Sequence, residues 1–170
     1  VELRVKACAI DSGGHHTHDV YNFARNRRVR RAMAIKGQSK PGRQILGRAS
    51  FVDVNVAGRT IKNGVKLWPV GSDTAKHTLY NALVDDADTE AERRHVRFAA
   101  GLDADFFKQL IAETFDPEKN KWILRNGRRN EALDCYVYAK AASQHPEIRV
   151  HAKRARDWQR LALTLEPAKG

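Results

Sequence analysis

Cysteine, methionine and long apolar runs are scarce in this chain, and each scarcity excludes something. The only two cysteines, Cys8 and Cys135, lie far apart inside apolar stretches, with neither a disulfide framework nor a C-x-x-C pair. That disfavours disulfide stapling and a cysteine zinc site, and both read as buried thiols in a reducing compartment. No stretch approaches the roughly 18 apolar residues of a spanning helix. Glu2, Arg4 and Lys6 interrupt the N-terminus where a signal peptide would be continuously apolar. A G-x-x-x-x-G-K-[ST] phosphate loop is missing, which excludes ATP hydrolysis by that route, and so is a G-x-S-x-G nucleophile turn. There is no initiator Met: the chain begins in a strand-like pattern, as a fragment of a longer polypeptide would.

Positive charge is what the chain has in excess. Its 170 residues carry 31 Lys and Arg against 20 Asp and Glu, a net +11, on an ordinary globular background of 42% hydrophobic residues. That size supports one domain with a proper core, or two small ones. The surplus favours a polyanionic partner, and with no membrane segment the partner is nucleic acid, bound with a steep salt dependence. The cations come in three groups: Arg25, Arg27, Arg28, Arg30 and Arg31; then Lys36, Lys40 and Arg43; then Arg125, Arg128 and Arg129. Each group alone also reads as a solvated face, and nothing indicates base-specific reading.

Apolar periodicity gives the order of elements. Residues 3–10 alternate and then turn continuously apolar, as a strand in the middle of a sheet does. A helix is expected from Thr17 to Arg27, a second strand from Val29 to Ile35, and a Gly, Pro and Lys-rich loop from Lys36 to Arg48. Phe51 to Val56 alternates as a strand, and Asn63-Gly64 reads as a hairpin turn into Val65–Val70. Thr74–Leu83 looks helical, Asp85–Glu92 like an acidic loop, His95–Ala99 like a short strand and Ala104–Ala112 like a helix. Phe115–Arg125 reads as an irregular segment or a hairpin around Asp116–Asn120. Asn130 reads as the N-cap of a helix through Ala142, and Val150–Leu165 as one amphipathic helix. The mixture indicates an α/β domain with a mixed sheet.

Acidic residues at the ends of apolar elements carry the chemistry. Asp11 follows Ala7-Cys8-Ala9-Ile10, Asp73 follows Trp68-Pro69-Val70-Gly71-Ser72, and Asp134 interrupts Leu133, Cys135, Tyr136 and Val137, with Glu131 one turn earlier. A carboxylate at the end of a central strand loses hydration, and several together repel one another. Hard divalent cations relieve both costs, and two of them roughly 4 Å apart activate water and stabilise the leaving oxygen of a phosphodiester. Each Asp taken singly also reads as a cap or turn residue, least easily Asp134 in its apolar helix. His15, His16 and His18 lack the second pair that zinc needs. They open a helix beside the Asp11 turn, where an imidazole such as His15 can touch a phosphate. Lys76, one turn after Asp73, reads as its partner or as a cation near the scissile phosphate.

Four segments in order, Ala9-Ile10-Asp11-Ser12-Gly13-Gly14-His15, Ala34-Ile35-Lys36-Gly37, Val70-Gly71-Ser72-Asp73-Thr74-Ala75-Lys76 and Arg129-Asn130-Glu131-Ala132-Leu133-Asp134-Cys135 with Tyr138-Ala139, resemble the C-terminal nuclease domain of the large terminase subunit of tailed phages, in its lambda-like branch. The resemblance runs from about residue 3 to about residue 143. It implies a ribonuclease H-like fold, a mixed central sheet flanked by helices, that cuts concatemeric double-stranded DNA during genome packaging in the host cytoplasm. It also implies two Mg²⁺ or Mn²⁺ ions held by Asp11, Asp73 and Asp134, with Glu131 as an alternate ligand. The middle ligand is Asp73 where related nucleases use a Glu, so its reach is shorter. Lys36, Lys40, Arg43, Lys76, Arg128, Arg129 and His15 are the expected phosphate contacts. The nuclease unit is expected over residues 1–145 and a basic helical tail over 146–170. Implied partners are an ATPase motor domain in the same polypeptide, a small terminase subunit and the portal. Two other readings stay open on the residues alone: a non-catalytic basic binding module, and a junction resolvase of related fold.

Overall fold

Three parallel strands end along one edge of the sheet, and that edge decides where the acidic residues stand. The computed structural model describes residues 5–26, 31–87 and 96–165. Its elements run β1 (Cys8–Asp11), α1 (Thr17–Arg25), β2 (Ala32–Gln38), β3 (Ser50–Val56), β4 (Arg59–Gly71), α2 (Ser72–Ala87), α3 (Ala104–Leu110), β5 (Glu113–Asp116), β6 (Lys121–Leu124), α4 (Glu131–Ser143) and α5 (Ala155–Leu165). The main sheet has the order β1-β2-β4-β3, and β5 and β6 form a separate hairpin. β1 and β4 both lie parallel to the central β2, while β3 is antiparallel to β4. Asp11 stands level with Ile35 of β2, whereas the last residue of β4, Gly71, stands level with Gln38.

Alternation along the strands sends successive side chains to opposite faces, and each face is covered. On one, Met33, Ile35 and Val70 pack against Ala75 of α2 and Val137 and Ala141 of α4. On the other, Ala34, Val54 and Val65 pack against Val20, Tyr21 and Ala24 of α1. Leu79 of α2, Leu110 of α3 and Leu133 of α4 close a third cluster that fixes α2 against α4. This is a mixed α/β domain with a central mixed sheet flanked by helices, consistent with the ribonuclease H-like type.

Several local expectations are corrected. β1 is an edge strand among the described residues, not a central one. It is apolar because α1 and α4 cover its two faces, which periodicity cannot distinguish from burial between strands. β2 continues to Gln38, so Lys36 lies on a strand instead of a loop. The hairpin turns at Ala57-Gly58, where both residues have positive φ and Val56 pairs with Arg59. Asn63-Gly64 lies within β4, where the register to β3 shifts; a side chain at Gly64 would start 3.0 Å from Val54 Cγ2. α2 runs on to Ala87, so Asp85 is helical, and residues 96–99 are irregular. The hairpin around Asp116–Asn120 is present as β5 and β6. Val150–Leu165 divides into a 3-10 turn at Val150–Ala152 and α5, and Cys135 is exposed, its helix turning that side to solvent. The expectations for residues 3–4, Arg27–Arg30, 88–92 and His95 lie outside the described residues.

Leu79 is fully buried where three helices meet. Leu79→Ala is therefore expected to lower unfolding free energy by about 2–5 kcal/mol in urea titrations. A loss below about 1 kcal/mol would show that this cluster does not join the helices.

Candidate active site

Asp11 closes β1 and is held by a turn. Its Oδ1 accepts the Gly13 backbone N–H at 2.9 Å, and its Oδ2 accepts the Tyr138 hydroxyl at 3.2 Å. Behind it, buried Ser12 is tied to the Ile35 carbonyl through its backbone N–H at 2.9 Å and its hydroxyl at 2.7 Å. Thr17 Oγ1 donates to the carbonyls of Ser12 and Gly14, closing the turn into α1. Gly13 leaves the carboxylate room, since a Cβ there would stand 3.2 Å from Asp11 Oδ1 and crowd it. The exposed carboxylate thus keeps open space around it. His15 is exposed in the same turn.

Asp73 arrives differently. β4 passes into α2 with no intervening loop, so Asp73 sits in the first helical turn and is only 6% exposed. Its Oδ1 is buried without a hydrogen-bond partner. The His77 imidazole Nε2 stands 3.7 Å from it, one turn on. His77 is itself wedged between Phe115 and Trp122, with ring centroids at 4.6 and 5.0 Å. A buried carboxylate oxygen without a hydrogen bond is costly, so this position favours a partner such as a cation.

Asp134 lies in the first turn of α4. Burial pushes its carboxyl above the ordinary range; the Lys76 ammonium pulls it down, and the charges of Glu113, Asp11 and Glu131 push it up further. Tyr138, one turn later, has its hydroxyl pushed well above the usual phenol range, first by burial and then by Asp11 and Asp134. It therefore keeps its proton and donates to Asp11.

Lys76 corrects an expectation: it does not pair with Asp73. Its Nζ meets Glu113 Oε2 at 2.6 Å, with side chains 12% and 6% exposed. Glu113 Oε1 accepts Asn130 Nδ2 at 2.9 Å, and its backbone carbonyl accepts the Tyr80 hydroxyl. Asn130 thus occupies the N-cap position but spends its side chain on Glu113 instead of the helix end. Removing either partner of so buried an ion pair would leave an uncompensated charge. Lys76 consequently acts within the site's electrostatics, not as a free phosphate contact.

Asp11, Asp134, Lys76 and the unforeseen Glu113 and Tyr138 share one electrostatic neighbourhood. Asp73 joins the same edge from α2, set further along the strands. Among the described residues, no three His, Cys, Asp or Glu side chains stand close enough to hold a metal ion together. Glu131 is exposed and paired with Arg129 Nε at 3.1 Å; its own backbone N–H and that guanidinium hold its carboxyl low. Lys36, Lys40, Arg43 and Arg128 are exposed. Arg43 also fixes the loop through its carbonyl, which accepts Thr74 Oγ1 at 2.6 Å. Glu113 was legible only as a lone carboxylate in the apolar run Ile111-Ala112-Glu113-Thr114-Phe115.

The raised Asp134 carboxyl has a consequence for stability. Between the ordinary carboxylate value and its folded value, the native state holds a proton that the unfolded chain has already lost. Stability therefore falls as pH rises through that window. Asp134→Asn is expected to remove this slope and, without metal, to unfold at higher urea than the wild type at neutral pH. An equally steep pH dependence in the variant, or a lower midpoint, would contradict the assignment.

This acidic edge on a basic domain has relatives. The family described as "Terminase large subunit gpA, endonuclease domain" matches residues 1–158. The "Terminase, large subunit" of Escherichia phage lambda is 30% identical over 151 residues, covering 83% of this chain and 22% of that protein. The protein of the same name from Enterobacteria phage P21 is 32% identical over 170 residues, covering 93% of this chain and 24% of its own length. The chain thus spans less than a quarter of either relative. No solved structure matches it. With the match running through Asp11, Asp73 and Asp134 alike, the chain belongs to the endonuclease-domain family of the gpA-type terminase large subunit.

Proposed function

We propose that the chain is a Mg²⁺- or Mn²⁺-dependent endonuclease domain that cuts concatemeric double-stranded DNA for a phage packaging terminase. The observation that carries this reading is the partnerless, buried Asp73 Oδ1, on an edge where burial and neighbouring carboxylates already raise Asp134. The donors are hard oxygens, the kind such cations prefer, and Gly13 leaves room beside Asp11. Asp11, Asp73 and Asp134 would hold the ions, with Glu131 as an alternate donor once released from Arg129. Bound there, two such ions would supply Lewis acidity toward the phosphodiester and the attacking water.

The chain's own groups do the rest. The Gly13 N–H and Tyr138 hydroxyl fix the direction of the Asp11 carboxylate, so it need not reorganise on binding. The largely buried Lys76–Glu113 pair sets the field at Asp134. Exposed His15, Lys36, Lys40, Arg43, Arg128 and Arg129 track the DNA backbone with little base preference. The proposed nuclease unit spans residues 1–145, with 146–170 as an appended basic tail that carries α5. The proposed partners are an ATPase motor domain in the same polypeptide, the small terminase subunit and the portal, all in the host cytoplasm. Among the described residues no helix is long and apolar enough to cross a membrane.

Asp11→Asn and Asp134→Asn are each expected to abolish metal-dependent nicking of plasmid DNA while duplex binding in gel shifts stays unchanged. Full nicking by both variants would defeat the ligand assignment. Mn²⁺ is expected to raise the melting temperature of the wild type in proportion to occupancy, because a ligand of the native state stabilises it. A melting temperature indifferent to Mn²⁺ would instead favour a purely DNA-binding module. Preferential cutting of four-way junctions over linear duplex would reassign the substrate.

A further inference from the structure

A cavity of about 830 Å³ opens between the loop after β2, the β3–β4 edge and the C-terminal end of α4. Gln144, on its wall, caps the end of α4 away from Asp134, about 15 Å along the helix axis, while its Gln44–Ile45 wall adjoins Gly71, two residues before Asp73. Its floor is Trp68, half-buried against the His145 ring at 5.8 Å. At its rim Phe51 is 58% exposed, with Lys66 Nζ 5.6 Å from the ring centroid. Arg48, Arg149 and His151 complete the lining, and no Asp or Glu contributes to it. Arg48, Lys66 and Arg149 form no ion pair with a described residue.

The cavity wall is held in place by the backbone. Gly71 N–H is shared between the carbonyls of Gln44 and Ile45, Gly47 N–H donates to Pro69 O at 2.8 Å, and Leu46 bridges to Val70. Glycine is needed at both contacts. A Cβ at Gly47 would fall 2.7 Å from the Pro69 ring, and one at Gly71 2.6 Å from the Arg43 carbonyl. Arg149 adopts a left-handed φ of 48°, a strained conformation for a non-glycine residue and one that clusters at binding sites. The groove is thus preformed.

We propose that this groove is a second nucleic-acid site that takes an unpaired nucleotide of a single strand, its base on Phe51 and its phosphates among Lys66, Arg48 and Arg149. An exposed ring gains nothing from duplex DNA, whose bases are already stacked, but every unpaired base offers it a π-face. Cations without acidic neighbours then take the backbone. The inference rests on the proposed function only in taking DNA as the polymer.

The test is fluorescence anisotropy of a labelled oligothymidylate and of a duplex of equal length, in EDTA so that nothing is cut. Phe51→Ala is expected to weaken oligothymidylate binding about tenfold while leaving duplex binding within about twofold. Phe51→Trp should restore it. Arg149→Ala should weaken it and lower the salt slope by about one. Phe51 is exposed enough for its truncation to leave the fold intact, which circular dichroism checks. Equal losses for both DNA forms, no loss at all, or a wild type that ignores oligothymidylate would each overturn the proposal. Absence of metal-dependent nicking by the wild type would defeat the proposed function and leave this site standing.

Discussion

Like charges held together at the C-terminal ends of three parallel strands in a mixed sheet are the constraint around which this molecule is arranged. Asp134 is half-buried and feels Asp11, Glu113 and Glu131, with Lys76 alone opposing them, and Lys76 is already bonded to Glu113. Left to themselves these groups would separate or protonate. What prevents it is packing: Val137 and Ala141 anchor α4 on the sheet, and Leu133 locks its first turns against Leu79 and Leu110. Core stability is set against electrostatic strain at the edge, as is usual at functional sites.

The three acids reach that edge by different local means, and their environments differ accordingly. Asp11 ends a short strand and stays exposed, orientated by a neighbouring amide and a tyrosine hydroxyl. Asp73 is carried straight from strand into helix and is buried with one oxygen unpaired. Asp134 begins the helix that covers the sheet and is intermediate. Basic residues flank this edge: Lys36 lies on β2 and Lys40 just beyond it, while Arg128 and Arg129 precede α4. Such a layout draws a polyanion in without neutralising the acids beforehand.

Much of this was legible in the sequence, because the acids interrupt apolar runs and the glycines after Asp11 mark a turn. The helices Thr17–Arg25 and Glu131–Ser143 and the β5–β6 hairpin follow from periodicity and turn residues. What was illegible depended on contacts across the fold. Spacing along α2 suggested that Lys76 serves Asp73, yet a buried acid from β5, 37 residues away in sequence, takes it. Asn130 was read as a local cap and is drawn off by the same acid. Asn63-Gly64 carries a strong turn signal, but pairing of Ile61 with Val54 and Val65 with Val52 keeps the chain in the sheet. The cationic groove combines Phe51, Lys66 and Arg149 from three separate segments, and none of these signals a site alone.

The central proposal is that Asp11, Asp73 and Asp134 act together in holding divalent cations once these bind. Titrating Mn²⁺ into the isotope-labelled chain and mapping paramagnetic broadening of its backbone amides tests this directly. The account predicts that the amides around Gly13, Asp73 and Asp134 broaden first and together, and that Asp11→Asn weakens the effect at all three. Broadening confined to one of these segments, or centred elsewhere on the surface, would contradict it.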